Sequence, residues 1–171
     1  MRIFIPLILS LGLFVLVAAD SLSRYAYGRF EASGSVDEEL TFIKLRRSLT
    51  DTTITSAEAA KSRFGIAEYY FRNNAFLDAF RAFKEYADKY PPEVSTLLAR
   101  VYLYKIADLK KDTETAQTLK KDIFSESFVL LFSKYKTLKY RSAFGNDYEV
   151  HYYLDRIKIF LNGEVFAELT P

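Results

Sequence analysis

Residues 60–92 constrain the fold of this chain most, because they carry the pattern of two helices joined by a tight turn. Small residues alternate with bulky aromatic residues at helical spacing, and Ala67 and Ala79 stand where two antiparallel helices must approach closely. Asn73 and Asn74 separate the two halves, and Asn tolerates the left-handed backbone of a turn. The proline pair at 91–92 ends the second helix, since neither residue can donate an amide hydrogen bond.

The same stretch resembles a tetratricopeptide repeat, with Pro91 as the closing proline of the repeat. The chain departs from the family at Arg63, where a bulky aromatic residue is common, and at Tyr86, where a small residue is usual. The resemblance implies stacked helical hairpins, a fragment of a right-handed α-solenoid, and a role in binding other proteins. Its inner-face positions fall on Ile66, Ala67, Tyr70, Ala79 and Phe83.

A single repeat cannot bury its own faces, so neighbouring helices must cover it, and we predict a helical domain over residues 36–136. Capping-box spacing at Ser35 and at Thr55 predicts two helix starts. The threonine-rich residues 50–55 are expected to end the first helix before the second begins. Residues 93–109 predict a further helix. Asp112 predicts the cap of another helix over 113–123, and a last helix over 126–136 would bridge to the C-terminal part.

The C-terminal residues 137–171 change from helical periodicity to alternation of apolar and polar residues. Asn162 and Gly163 lie between two alternating runs, which is a strong signal for a two-residue hairpin turn. We therefore expect a small antiparallel sheet, with Tyr148, Val150, Tyr152 and Leu154 on one face. The alternative is a final helix over 147–161, since apolar residues there also fit helical spacing.

The N-terminus predicts export, because Arg2 precedes an apolar run over residues 3–17 and small side chains follow at Ala18 and Ala19. We expect a signal peptide over 1–19, cleaved before Asp20, followed by a linker over 20–35. The alternative is an uncleaved anchor in the inner membrane, since the run is close to the shortest that spans a bilayer. The chain has no cysteine, which excludes disulfides and a lipid-modified N-terminus and favours a bacterial periplasm.

Composition argues against several classes of function. The 24 basic and 22 acidic residues are scattered singly, so no footprint for nucleic acid is visible. His151 is the single histidine and the six glycines are dispersed, so neither a catalytic triad nor a phosphate-binding loop is indicated. We therefore predict no catalytic residue, no cofactor, no metal site and no enzymatic activity.

The resemblance implies that the first helix of each repeat lines a groove for a protein partner, an envelope protein or a peptide segment. Phe64 and Phe71 are seven residues apart and share one helix face. They either grip an apolar segment of that partner or pack against neighbouring elements of the same chain. The groove positions carried over to this chain are Lys61, Phe64, Glu68, Phe71, Arg72, Arg100 and Tyr104.

Two functions follow as expectations. Residues 67–71 and 82–86, with the tyrosine–proline end, are similar to envelope proteins of the outer-membrane assembly and cell-division accessory type. The first expectation is thus an exported, periplasmic or envelope-associated scaffold that binds another protein. The alternative is a structural subunit of a surface or membrane complex that assembles through the edge of its C-terminal sheet.

Overall fold

The computed structural model describes residues 36–125, 128–129, 132–133 and 136–171. It confirms the predicted class, a mainly α fold with a small C-terminal antiparallel sheet. The predicted signal peptide or anchor, the linker and the Ser35 cap lie outside the described residues. Five helices and four strands are described: α1 Val36–Ser48, α2 Ser56–Arg72, α3 Phe76–Lys89, α4 Val94–Leu109, α5 Thr113–Ile123, β1 Thr137–Arg141, β2 Asp147–Tyr152, β3 Ile157–Leu161 and β4 Glu164–Leu169.

Local side-chain chemistry sets the ends of the central helices. Thr55 and Glu58 form the predicted capping box, in which each side chain accepts a hydrogen bond from the backbone amide of the other residue. Asn74 adopts a φ of 57° between α2 and α3, as the predicted turn requires. Asp112 accepts a hydrogen bond from the amide of Thr115 and caps α5.

Each described helix packs on the next along the chain, so α2 with α3 and α4 with α5 form two consecutive helical hairpins. The two departures from the repeat pattern are accommodated. Arg63 forms an ion pair with Glu85 of α3 at 3.3 Å, and Tyr86 is buried against the ring of Phe64. Gly65 lets α1 and the β1–β2 turn approach α2, because a Cβ there would lie 2.9 Å from a methyl group of Leu45.

The C-terminal strands form an antiparallel meander in the order β1–β2–β3–β4. The prediction of a sheet is confirmed, and the alternative of a final helix over 147–161 is wrong. Asn162 and Gly163 form the predicted turn with φ values of 52° and 85°. Leu154 was expected on the same face as Tyr148 and Val150 but lies outside the sheet and is fully exposed, because β2 ends at Tyr152 and the chain turns before β3 begins.

One face of the sheet packs on the helices and the other carries charged residues. A bulge at Ile159 and Phe160 places one extra residue, Phe166, on β4. The ring of Phe166 turns inward and lies 4.9 Å from that of Tyr102. The ammonium group of Lys105 in α4 lies 4.2 Å from the centre of the Phe166 ring and donates a 2.6 Å hydrogen bond to its carbonyl oxygen.

The predicted bridging helix is described in part. Residues 128–129 and 132–133 are helical, and the rest of the range 126–136 is described only at Lys136. Phe128 and Phe132 are both buried, and the Phe132 ring stacks on Tyr152 at 4.7 Å. None of the helices that the structure describes has the length and hydrophobicity of a membrane-spanning segment.

Candidate protein-binding surface

The face of α2 that was predicted to line the groove is covered by the C-terminal sheet. Phe64 is 0% exposed, and its ring centre lies 5.0 Å from that of Tyr140 and 6.1 Å from that of Tyr148. Phe71 is half-buried, with its ring 4.8 Å from Tyr102 and 6.5 Å from Phe166. The chain's own sheet therefore takes the place of a partner on this face.

Glu68 lies at the centre of the same contact and is also 0% exposed. Its Oε1 atom accepts hydrogen bonds from the Tyr148 hydroxyl at 2.6 Å and from the Asn146 amide at 2.7 Å. Burial raises the pKa of Glu68 above its ordinary value, and these hydrogen bonds oppose that change. The carboxyl group thus joins α2 to β2 and to the turn before it.

Tyr102 extends this polar network into α4. The hydroxyl oxygens of Tyr102 and Tyr148 are 2.6 Å apart, and because Tyr148 donates to Glu68, Tyr102 donates to Tyr148. Burial raises the pKa of both tyrosines, so both stay protonated at neutral pH. The network is enclosed, and its chemistry is that of a structural contact between the helices and the sheet.

The other predicted groove residues lie apart. Lys61 is exposed near the start of α2, Arg72 forms an ion pair with Glu38 of α1, and Tyr104 is half-buried on α4. Arg100 forms an ion pair with Asp122 of α5 at 3.4 Å. The prediction of one open groove is thus corrected. The sheet covers Phe64 and Glu68, Phe71 packs on Tyr102 of α4, and Lys61 and Arg100 line two different clefts.

Arg100 does line an open cleft, which lies between α3 and α5 with α4 as its base, and we name it the α3–α5 cleft. Its volume is about 310 Å³. Leu103 of α4 and Leu119 of α5 are buried apolar side chains at the bottom of the cleft, and charged side chains of both signs form its rim. The lining residues are Phe80, Lys84, Ala87, Asp88, Arg100, Leu103, Glu114, Thr115, Thr118, Leu119 and Asp122.

Sequence reasoning missed most of this cleft. The repeat pattern predicts binding residues on the first helix of each pair, whereas the cleft is formed mainly by the second helices, α3 and α5. The one available signal was the spacing of Leu119 and Asp122 on a helix capped by Asp112, which places them on one face of α5. That spacing predicts which residues share a face of α5, but it does not predict which other helices lie beside that face.

Among the described residues, no three His, Cys, Asp or Glu side chains converge in a way that could hold a metal ion. His151 lies on the outer face of the sheet, 3.2 Å from Glu149 and beside the Phe160 ring. Comparison of the chain with protein-family models, with curated proteins and with solved structures found no match, so the likeness to tetratricopeptide repeats rests on residues 60–92.

Proposed function

We propose that this protein is an exported, non-enzymatic scaffold or assembly protein of the cell envelope that binds another protein in the α3–α5 cleft. The observation that carries the proposal is the combination of an apolar base with a charged rim on an open helical surface. Such a surface suits a peptide segment with one or two apolar anchors between charged residues.

The ion pairs on the rim support this use of the cleft. Lys84 and Asp88 are 3.1 Å apart, Arg100 and Asp122 are 3.4 Å apart, and each pair has a side chain about half exposed or more. Exposed ion pairs contribute about 0–1 kcal/mol to stability. A partner's charges can therefore replace the exposed Lys84–Asp88 pair at little cost to the fold. In the part-buried second pair, Asp122 is the side chain that a partner can reach.

Export rests on the N-terminal sequence. Arg2, the apolar run over 3–17 and Ala19 fit a signal peptide, which would make Asp20 the first residue of the mature chain. The intact mass of the native protein tests this step. A mass that still includes residues 1–19 would mean that the protein is anchored by its N-terminal segment. The proposal that the cleft binds a partner would not be affected.

The alternative, assembly through the edge of the sheet, is less well supported. An added strand needs a regular row of backbone groups. The bulge at Phe166 interrupts that row on β4, and the Phe166 carbonyl oxygen already accepts a hydrogen bond from Lys105. Both features are typical of edges that resist pairing with another chain.

The cleft is tested with two arginine substitutions on neighbouring exposed residues of α5. Thr118→Arg fills the cleft, whereas Gln117→Arg adds the same side chain at a position outside the cleft lining. The tagged chain is crosslinked in its native envelope, and captured proteins are identified by mass spectrometry.

We expect one envelope protein to be recovered with the unaltered chain and with Gln117→Arg, and recovery to fall about tenfold with Thr118→Arg, an effect of about 1.4 kcal/mol. Melting temperatures of both variants check that the fold is kept. Equal recovery with Thr118→Arg would exclude the cleft as the binding site.

A further inference from the structure

Helix α1 has an apolar outer face that no described residue covers. Val36, Leu40 and Ile43 follow one another at spacings of four and three, so they form one stripe, and they are 73%, 48% and 57% exposed. The opposite face of α1 packs on α2, where the ring of Phe42 stacks on Tyr69 at 4.2 Å. The stripe therefore points away from the rest of the described chain.

The C-terminal half of α1 is basic. Lys44, Arg46 and Arg47 are exposed, and none of them forms an ion pair with another described residue. Arg47 follows Ile43 by four residues and so lies on the same helix face as the apolar stripe. The acidic side chains of α1, Asp37, Glu38 and Glu39, all lie in its first turn, so the positive charge is confined to the second half of the helix. Glu38 forms an ion pair with Arg72 of α2.

The neighbouring elements add both signs of charge. Lys61 of α2 lines the same cleft of about 630 Å³ as Lys44, together with Asp51 and Glu58. Both carboxylates already accept hydrogen bonds from threonines in the α1–α2 loop, Asp51 from Thr53 and Glu58 from Thr55. The two lysines have no such partner among the described residues.

We propose that α1 lies on a lipid bilayer that carries anionic headgroups, with the stripe of Val36, Leu40 and Ile43 at the boundary between headgroups and acyl chains. Apolar side chains bordered by lysine and arginine are typical of helices that lie in this interface, and the long basic side chains reach the phosphates. A stable protein interface buries about 800 Å² on each partner, which three side chains cannot supply. A bilayer accepts a narrow stripe because the basic residues add to its binding.

The N-terminal sequence places this helix near the membrane if the apolar run over 3–17 is retained. Residues 18–35 separate the run from Val36, and 18 extended residues reach at most about 65 Å. Cleavage of the signal peptide would remove this tether and leave the stripe and the basic residues unchanged.

The test uses a spin label at one site, which is simple because the chain has no cysteine. Leu40→Cys is labelled in the full chain, and Gln117→Cys on α5 is the control. Each is measured on vesicles of phosphatidylcholine alone and of phosphatidylcholine with phosphatidylglycerol. A local label reports on α1 even when residues 1–19 bind the vesicles themselves.

We expect the ratio of oxygen to nickel-complex collisions at position 40 to rise about threefold or more on the anionic vesicles, with little change on neutral vesicles or at position 117. Arg46→Glu with Arg47→Glu removes the rise, whereas Lys120→Glu with Lys121→Glu on α5, an equal change in charge, keeps it.

A label at position 40 that stays in water on anionic vesicles overturns the proposal, and so does equal immersion on both kinds of vesicle. Protection of the label without vesicles, increasing with protein concentration, assigns the stripe to a second copy of the chain. Protection that requires a protein from the envelope assigns it to a protein partner, and either result overturns the lipid assignment.

Discussion

The hydroxyl of Tyr148 donates a 2.6 Å hydrogen bond to Oε1 of Glu68, although 80 residues separate the two in sequence. Both side chains are buried, one on β2 and the other on α2. The contact joins the sheet to the first helical hairpin through polar groups that have lost their contact with water. Such groups are costly to leave unpaired, so the sheet and the helices are expected to unfold together.

The first prediction compares two tyrosines that are direct neighbours across β1 and β2, Tyr140 and Tyr148. Tyr148→Phe removes a hydroxyl bonded to both Glu68 and Tyr102, so we expect unfolding to become easier by about 1–3 kcal/mol. Tyr140→Phe removes a buried hydroxyl that has no hydrogen-bond partner among the described residues, and should be neutral or stabilising. Urea unfolding of both variants measures the difference. Equal losses would mean that the network does not contribute.

The second prediction concerns the pH dependence of stability at Glu68. Burial raises its pKa in the folded chain above the ordinary value of 4.5, so the folded state binds more protons than the unfolded state just above pH 4.5. The contribution of this group to stability is therefore complete below pH 4.5 and is lost as pH rises through the raised pKa. Glu68→Gln cannot titrate and should remove this part of the pH dependence.

The measurement is the free energy of unfolding of the unaltered chain minus that of Glu68→Gln at a series of pH values. Taking the difference removes the effect of exposed carboxyl groups such as Asp51 and Glu58, whose pKa values are lowered by hydrogen bonds from Thr53 and Thr55. A difference that grows with pH would contradict the prediction, because it would mean that the fold favours the charged carboxylate.

The features that the sequence predicted well are those set by neighbouring residues. The Thr55 capping box, the Asp112 cap and the turn at Asn162 and Gly163 each depend on side chains within a few positions along the chain. The covering of Phe64 could not be predicted in this way. An apolar helix face has the same pattern whether its own chain or a partner covers it, and here the sheet that covers it begins more than 70 residues later.

The third prediction tests the turn between β3 and β4. Gly163 has a φ of 85°, where a β-branched residue is strained, so Gly163→Val should destabilise the chain by about 1–3 kcal/mol. No heavy atom outside its neighbours lies within 4 Å of the position of an added Cβ, so backbone strain and not crowding causes the loss. Gly163→Asn is the matched control, since Asn tolerates this conformation better, and thermal unfolding should show a clearly smaller loss for it.

The fourth prediction concerns the bulge in β4. Lys105→Met keeps most of the side-chain length and removes the ammonium group that bonds the Phe166 carbonyl oxygen at 2.6 Å. We expect a loss of about 1–2 kcal/mol, because the carbonyl is left without this partner. Lys110→Met, on an exposed lysine near Phe80, is the control and should change stability little. If the two variants melt at the same temperature, Lys105 does not stabilise the bulge.

The last prediction separates the covered face of α2 from the α3–α5 cleft. The ring of Phe64 is completely buried, and its contacts include Phe83 of α3 at 5.5 Å and Tyr140 of β1 at 5.0 Å. Phe64→Ala should therefore lower the free energy of unfolding by about 3–5 kcal/mol. Binding by the fraction that remains folded should be unchanged, because this side chain does not reach the surface.

Thr118→Arg should give the opposite result, with a melting temperature near that of the unaltered chain and a large loss of partner. Binding of both variants is measured below the melting temperature of Phe64→Ala, so that the two properties are read separately. Loss of binding by folded Phe64→Ala, with binding kept by Thr118→Arg, would return the binding site to the face of α2 and would require the sheet to move away from it.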